Sequence, residues 1–347
     1  MNIVFYTYGN HQMGMGHIYR SIALIKALEK KCVGVSARLL SRNYKDGIMK
    51  IKEFGYPVIQ IPLDMSEQTE IEYCIGILKD LHPDVLVTDA LKITPAKMAL
   101  FKKYSKYLVS IDDAGDGRLM ANLVVNVLFQ TPKNDNRKAE LSDLSYLILR
   151  EEFRAPNRPA MSINPIVKRI LVTQGGSDTY GVTIKIARAL DKVDDSIEII
   201  LLLGPAFKHE KELEAVQRES RRHFIIERDI RDVFSLFSRC DLAITGGGMT
   251  LFELAAVGVP SIVLTQEYKE IETIERIYDY GFIKNLGLSE NVSDEDIYHS
   301  VNELIENYSL RNKMSEVSRK IVDGLGAERI VDIILKELGD DGEGETR

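Results

Sequence analysis

Cysteine is scarce in this chain of 347 residues: there are three, Cys32, Cys74 and Cys240, far apart, with apolar neighbours and no CxxC pair. That excludes a disulfide framework and a zinc ribbon, and it fits buried free thiols in a reducing compartment. Basic charge is not in excess either. The formal net charge is −7, so no nucleic-acid partner and no electrostatic attachment to a membrane surface is expected. Long apolar runs are missing as well. The most apolar stretch, Ile197–Leu203, falls far short of the roughly 20 residues a membrane span needs, and no basic segment precedes the first apolar run at Ile3, so neither stable membrane insertion nor a leader is expected. These absences describe a cytoplasmic globular protein. Its composition, 45% hydrophobic and 28% charged, excludes a largely disordered chain. At about 150 residues per domain, the length suits two domains.

Short apolar runs alternate with amphipathic stretches throughout. In the first half, strands are expected at Ile3–Tyr6, Val33–Leu40, Val58–Ile61, Val85–Thr88, Tyr107–Ile111 and Leu123–Val127, with helices over Ile18–Leu28, Ile71–Leu81 and Ala96–Tyr104. Strands apolar on both faces and separated by helices imply a parallel sheet covered on both sides. Pro156, Pro159 and Pro165 then mark a linker, after which a second alternating series runs from strand Arg169–Thr173 to helix Ala327–Leu338. The expected fold class is α/β: two doubly wound, Rossmann-like domains facing each other across a cleft. Their bounds are residues 1–155 and 166–338, with a linker at 156–165 and a tail at 339–347. Ligand is expected at the carboxyl ends of the strands.

Three strand-to-helix turns are rich in glycine: Gly14-Met15-Gly16-His17, Gly175-Gly176-Ser177-Asp178, and Gly246-Gly247-Gly248-Met249-Thr250. Glycine lets backbone N–H groups approach an anion, and the helix start that follows adds about half a positive charge. An acidic chain can hold phosphate in this way without a basic patch. No standard fingerprint is present. Tyr19 stands where a dinucleotide site needs a third glycine, and neither GxxxxGK[ST] nor GxSxG occurs. Three such turns at equivalent strand ends point to a phosphate-bearing ligand.

Individual residues carry two readings each. His17, at a helix start, is disfavoured as a cation and suits a general base at a sugar carbon; otherwise it is a loop histidine. Arg20, one turn on, meets a phosphate, the substrate or a surface ion-pair partner. Glu253 lies three residues after Thr250, the capping-box spacing, and alternatively accepts hydrogen bonds from a ribose diol. Asp112 and Asp113 end a strand; they order the loop of Gly115–Gly117, contact sugar hydroxyls or hold Mg²⁺. Gln266 follows another strand end.

The combination Gly14-x-Gly16-His17-x-x-Arg20-Ser21 resembles the GxGHxxR motif of the UDP-sugar hydrolases of pseudaminic acid biosynthesis, which release UDP from 2,4-diacetamido-2,4,6-trideoxy-β-L-altropyranose. It is also similar to related spore-coat polysaccharide biosynthesis proteins. Ile111-Asp112-Asp113, Leu149–Phe153, Gly175–Asp178, Gly246–Glu253, Gly258-x-Pro260, Gln266 and Asp323-Gly324-x-Gly326 continue the resemblance over nearly the whole chain. It implies the GT-B architecture and a UDP-linked amino sugar as ligand. The diphosphate would lie at Gly246–Thr250, the ribose on Glu253 and the uracil near the strand-end loops, while His17 presents water to the anomeric carbon. It also implies that no metal and no cofactor takes part. The leading expectation is a nucleotide-sugar hydrolase of surface-polysaccharide or nonulosonate synthesis. The alternatives are a GT-B glycosyltransferase with a UDP-sugar donor and a non-catalytic nucleotide-sugar binding protein.

Overall fold

Val85–Asp89 and Tyr107–Ile111 are buried at every position, as strands covered on both faces must be. The computed structural model describes residues 1–129, 140–155 and 162–343. It divides into two compact units: Met1–Glu151 with the segment from Gly324 onward, and Glu152–Asp323.

The first unit runs β1 (Asn2–Thr7), α1 (Gly16–Lys31), β2 (Ser36–Arg42), α2 (Lys45–Glu53), β3 (Val58–Ile61), α3 (Glu67–Leu81), β4 (Val85–Asp89), α4 (Pro95–Lys103), β5 (Tyr107–Ile111), β6 (Leu123–Val125) and β7 (Glu140–Leu141). Among the described residues these strands form a seven-stranded parallel sheet in the order β3-β2-β1-β4-β5-β6-β7. The winding direction reverses between β1 and β4. Their carboxyl ends therefore flank the crevice at which such sheets bind ligands. Helix boundaries follow local chemistry. The Ser66 side chain accepts the Thr69 N–H at the start of α3, and Thr94 caps α4, with Pro95 at the first helical position.

The second unit runs β8 (Arg169–Thr173), α5 (Val182–Leu190), β9 (Glu198–Leu203), α6 (Glu210–Glu219), β10 (Phe224–Arg228), α7 (Val233–Ser238), β11 (Leu242–Thr245), α8 (Met249–Val257), β12 (Ser261–Thr265), α9 (Tyr268–Tyr278), β13 (Ile283–Leu288), α10 (Asp294–Glu306) and α11 (Tyr308–Ile321). Its described strands form a six-stranded parallel sheet, β10-β9-β8-β11-β12-β13, with the reversal between β8 and β11. A core of Ile170, Val172, Ile186, Leu190, Leu201, Ile244 and Ile297, among others, covers it.

Several boundaries differ from the sequence reading. The chain returns to the first unit at Gly324, so the last helix, α12 (Gly326–Glu343), does not belong to a second domain ending at 338. Gly326 allows that return: a Cβ there would lie 2.3 Å from the Leu147 carbonyl oxygen. The expected tail is helical as far as Glu343, and residues 344–347 lie outside the described ones. β2 starts at Ser36, because Gly34 turns the chain with φ +76° and Val33 is fully exposed. Helix α2 and strands β7 and β13 were not expected. β13 (IKNLGL) is polar within and occupies the sheet edge, where strand patterning is weakest.

The expected linker lies partly outside the described residues, at 156–161. Its last part is fixed rather than free. Ile163 is buried, and Arg311 donates to the carbonyls of Asn164 and Pro165 at 2.8 Å each. The same buried guanidinium donates to Leu304 O (2.5 Å) and Ile305 O (2.8 Å). Arg311→Met, of similar length but with no donors, leaves these acceptors short of partners. It is expected to lower the stability of the chain by about 3 kcal/mol or more. Urea denaturation followed by circular dichroism checks this; a loss below about 1 kcal/mol would show that the carbonyls find other partners.

Candidate functional site

At the reversal point of the first unit, β1 passes into α1 through residues 8–15. Gly14 takes φ +93°, a conformation that glycine supplies without strain. The Asn10 side chain accepts the N–H groups of Gln12 and Met13, and α1 begins at Gly16 with no side-chain cap and no acidic residue in its first turn. The positive end of that helix is therefore open to an external anion. His17 is its second residue. Asp89, at the carboxyl end of β4, lies with Oδ1 2.6 Å from His17 Nδ1.

Arg20, one turn further, donates from Nε and Nη2 to the two oxygens of Asp89 at 3.1 and 2.6 Å, and its Nη1 lies 3.1 Å from Asp112 Oδ2. Arg20 Nη2 also lies 3.0 Å from His17 Nδ1. A guanidinium only donates, so Nδ1 cannot accept from it and donate to Asp89 at once. The shorter, charge-assisted contact assigns one proton: Nδ1–H donates to Asp89, which in the neutral ring leaves the lone pair on Nε2. Burial by itself raises the Asp89 pKa, but the Arg20 charge and His17 outweigh it and hold the carboxyl below its usual value. The arrangement is an oriented imidazole backed by a carboxylate.

Arg20 is thus corrected. It is buried and no surface ion pair: its guanidinium is paired with Asp89 and Asp112. Asp112 is likewise internal. At φ +43° just past β5, it accepts the Val127 and Leu128 N–H groups at 2.8 and 2.9 Å. Burial raises its pKa against the pull of Arg20. Asp113 points elsewhere. Its Oδ1 accepts the N–H groups of Ile93 (3.2 Å) and Gly115 (2.7 Å), and Oδ2 is buried with no partner. Burial lifts its pKa to about 6.

The sequence reading also missed a second buried cluster in this unit. Glu70 accepts from Tyr6 Oη (2.6 Å), Lys97 Nζ (2.6 Å) and Arg42 Nη2 (2.6 Å), and Arg42 stacks 5.2 Å from the Tyr8 ring centroid. Burial opposes the charge of Glu70, yet these donors lower its pKa. Two cations and one carboxylate leave a net positive charge, of which only the Arg42 side chain is substantially exposed.

In the second unit, the structure brings two of the glycine turns together at the reversal between β8 and β11. A Cβ on Gly175, whose φ is +74°, would lie 4.0 Å from Thr250 Oγ1, and one on Gly204 would lie 2.2 Å from Gly175 O and 2.3 Å from Gly176 O. Helix α8 starts at Met249, with Gly248 as its N-cap and no side-chain cap. This overturns the capping-box reading. Thr250 is already inside the helix, and Glu253 lies a full turn in, buried. The helix start after the Gly175–Gly176 turn is occupied instead. Asp178 accepts the Val182 and Thr183 N–H groups at 2.7 and 3.0 Å, which leaves Ser177 against Thr179 at 3.3 Å.

Gln266 Nε2 donates to Gln174 O at 3.1 Å, tying the ends of β8 and β12 together. Glu270 accepts the Gln266 N–H at 2.7 Å and also takes the backbone N–H of Gly247. Burial raises its pKa against these donors. A pocket of about 690 Å³ opens beside Gln266, lined by Tyr180, Lys185, Tyr268, Lys269 and Glu290 among others. The triplet Asp294-Glu295-Asp296, which has Asp-x-Asp spacing, opens α10, and Asp296 closes a capping box with Ser293. Among the described residues no group of three or more His, Cys, Asp or Glu side chains could hold a metal ion, and no helix is long and apolar enough to cross a membrane.

Comparison with solved structures settles the architecture. MurG of Acinetobacter baumannii superposes with a TM-score of 0.70, covering 96% of this chain and 99% of that one at 16% identity. The calicheamicin glycosyltransferase CalG4 does so with a TM-score of 0.65, covering 97% and 98% at 15% identity. The fold is that of the GT-B glycosyltransferases. In sequence, the GT-B chain is 28% identical to the spore coat polysaccharide biosynthesis protein SpsG of Bacillus subtilis, over 97% of this chain and 98% of that protein. It is 32% identical to the uncharacterized protein MJ1062 of Methanocaldococcus jannaschii, over 77% of this chain and 56% of that protein. It is 22% identical to the UDP-N-acetylglucosamine–N-acetylmuramyl-(pentapeptide) pyrophosphoryl-undecaprenol N-acetylglucosamine transferase of Caldanaerobacter subterraneus, over 88% and 92%. A family model described as "Protein of unknown function (DUF354)" matches residues 177–324.

The buried Asp113 gives a test of the site's electrostatics. With a folded pKa of about 6, above the ordinary 3.8, the neutral form is favoured in the fold. Its contribution is complete below pH 4 and is lost as pH rises through 6. Asp113→Asn keeps the Oδ1 acceptor and cannot ionise. The stability of this variant relative to the parent is expected to rise between pH 4 and 7, by on the order of 2–3 kcal/mol. Thermal denaturation of both proteins across that range checks it; parallel curves would refute the assignment.

Proposed function

We propose that this chain is a glycosyltransferase of surface-polysaccharide assembly that uses a UDP-sugar as donor. The observation that carries the reading is the His17–Asp89 pair, an imidazole with its Nε2 lone pair available beside an uncapped helix start. Support comes from the second unit, where an uncapped helix start follows three glycines with Glu253 one turn in. It also comes from similarity to a spore-coat polysaccharide protein and to a UDP-N-acetylglucosamine-dependent transferase over most of the chain.

In this reading the diphosphate lies at Gly246–Thr250, where N–H dipoles stabilise the charge that grows on the leaving phosphate. Glu253 takes the ribose hydroxyls. His17 Nε2 removes the proton of the incoming hydroxyl as its oxygen bonds to C1 of the sugar. The C1–O bond to the β-phosphate breaks, and its electron pair leaves with UDP. Asp89 keeps the ring in the required tautomer and stabilises the imidazolium that forms. Arg20, itself paired with Asp112, holds Asp89. No step calls for a metal.

Hydrolysis is the second reading, favoured by the Gly14–Ser21 motif that resembles UDP-sugar hydrolases: the same base then acts on water. One assay separates the two. Purified protein is incubated with a panel of UDP-amino sugars, with and without hydroxyl-bearing acceptors such as polyprenyl-linked and free sugars, and UDP is measured. Release that depends on acceptor is expected; rapid release without acceptor, giving free sugar, would replace transfer by hydrolysis. His17→Ala is expected to lower turnover by about 10²–10⁴-fold while UDP affinity is retained. Asp89→Asn, which favours the wrong tautomer, is expected to lower kcat to a similar degree with little change in KM. Loss of UDP binding in His17→Ala would remove the histidine from the role given to it.

A further inference from the structure

In the second unit, three neighbouring strands, β8, β11 and β12, carry at their carboxyl ends, or directly after them, polar side chains that are buried and have no hydrogen-bond partner. Thr245 Oγ1 and Thr265 Oγ1 are two of these, and both threonines are completely buried. The third is the Gln174 carboxamide, of which neither Oε1 nor Nε2 is bonded although the residue is 6% exposed. A carboxamide in that state costs free energy in the fold, and native structures keep few such groups. Its backbone is held firmly, because the Gln174 carbonyl accepts Gln266 Nε2 at 3.1 Å. Its side chain lies against the glycine turn that follows β11. A Cβ on Gly246 would stand 3.0 Å from Gln174 Oε1 and 3.7 Å from Gln266 Nε2, so glycine at 246 makes the room the amide occupies. Gly175, the next residue after Gln174, approaches Thr250 on the other side of the same turn.

We propose that the Gln174 carboxamide is a ligand-binding group of this turn, its unbonded amide turning over so that Nε2 takes the place of Oε1 beside Gly246 and donates to a phosphate oxygen of a nucleoside diphosphate seated at Gly246–Thr250. The proposal rests on the nucleotide reading above and deepens it. Neither Gln174-Gly175-Gly176-Ser177 nor Gly246-Gly247-Gly248-Met249-Thr250 contains a lysine or arginine, so phosphate recognition here falls to neutral donors. One of the backbone donors is already engaged: the Gly247 N–H is given to Glu270. That leaves the helix start, the Thr250 hydroxyl and the Gln174 amide as the groups around the turn. The strand-end position explains why an unbonded amide is tolerated. Its hydrogen bond forms when the ligand arrives, and the residue contributes to affinity what it withholds from stability.

A structural glutamine and a ligand-binding one respond to substitution with opposite signs. Gln174→Met keeps the length and removes the amide; Gln174→Glu keeps the shape and adds charge. Melting temperatures without ligand, and calorimetric titrations with UDP and with inorganic pyrophosphate, are measured for both variants and the parent. Gln174→Met is expected to melt at or above the parent temperature. It is expected to bind UDP and pyrophosphate about ten- to a hundredfold more weakly, as loss of a hydrogen bond to a charged group implies. Gln174→Glu is expected to lose both ligands further, through repulsion. A lower melting temperature in Gln174→Met, or UDP affinity within twofold of the parent, overturns the proposal while the nucleotide reading stands. A parent protein that binds neither UDP nor pyrophosphate overturns both.

Discussion

The carboxylate of Asp89 is the point on which the first unit's site turns. It lies buried at the end of a central strand, where an isolated charge would be strongly disfavoured. Arg20 meets both of its oxygens, and His17 takes one of them as well. The pairing settles the ionisation of Asp89, the tautomer of His17 and the direction of the imidazole lone pair together. Asp112 takes the remaining face of the guanidinium, so the set is a closed group of charges with one exit, the Nε2 of His17. Removing a single member would leave another charge buried and unpaired, which couples stability to site geometry.

The two units use the same parallel-sheet topology for different chemistry. In the first, the reversal point between β1 and β4 collects charged side chains and an imidazole. In the second, the reversal between β8 and β11 collects glycines, backbone N–H groups and neutral polar side chains. This division follows from what each must handle under the proposed function. A base needs an oriented, charge-supported ring, whereas a diphosphate needs many short-range donors with little steric obstruction. Glycine at 204 and 246 permits close approach, whereas Gly175 supplies a positive φ.

Much of this was legible in the chain. The alternation of apolar runs and amphipathic stretches gave the parallel α/β class, and glycine spacing located the turns at the strand ends. His17 stood out because it directly follows a glycine turn at a helix start. Its partner did not. Asp89 is 72 residues away, and an aspartate closing a buried strand has no local signal of function beyond its position. Gln174 and Glu270 were hidden for the same reason, since their meaning depends on a turn that lies far along the chain. The capping alternative for Glu253 fails because its spacing from Thr250 fits a cap, whereas the helix begins at Met249.

The sequence by itself determined most of the elements, their class and where the glycine turns fall, because periodicity, glycine and helix starts act over a few residues. Only the tertiary structure decided that Arg20 faces two carboxylates instead of solvent, that Asp178 closes one helix start while Gly248 leaves another open, and that the last helix returns to the first unit. Those outcomes depend on contacts between residues remote in sequence. In such contacts burial, pairing of charges and the room left by a missing Cβ outweigh local preference.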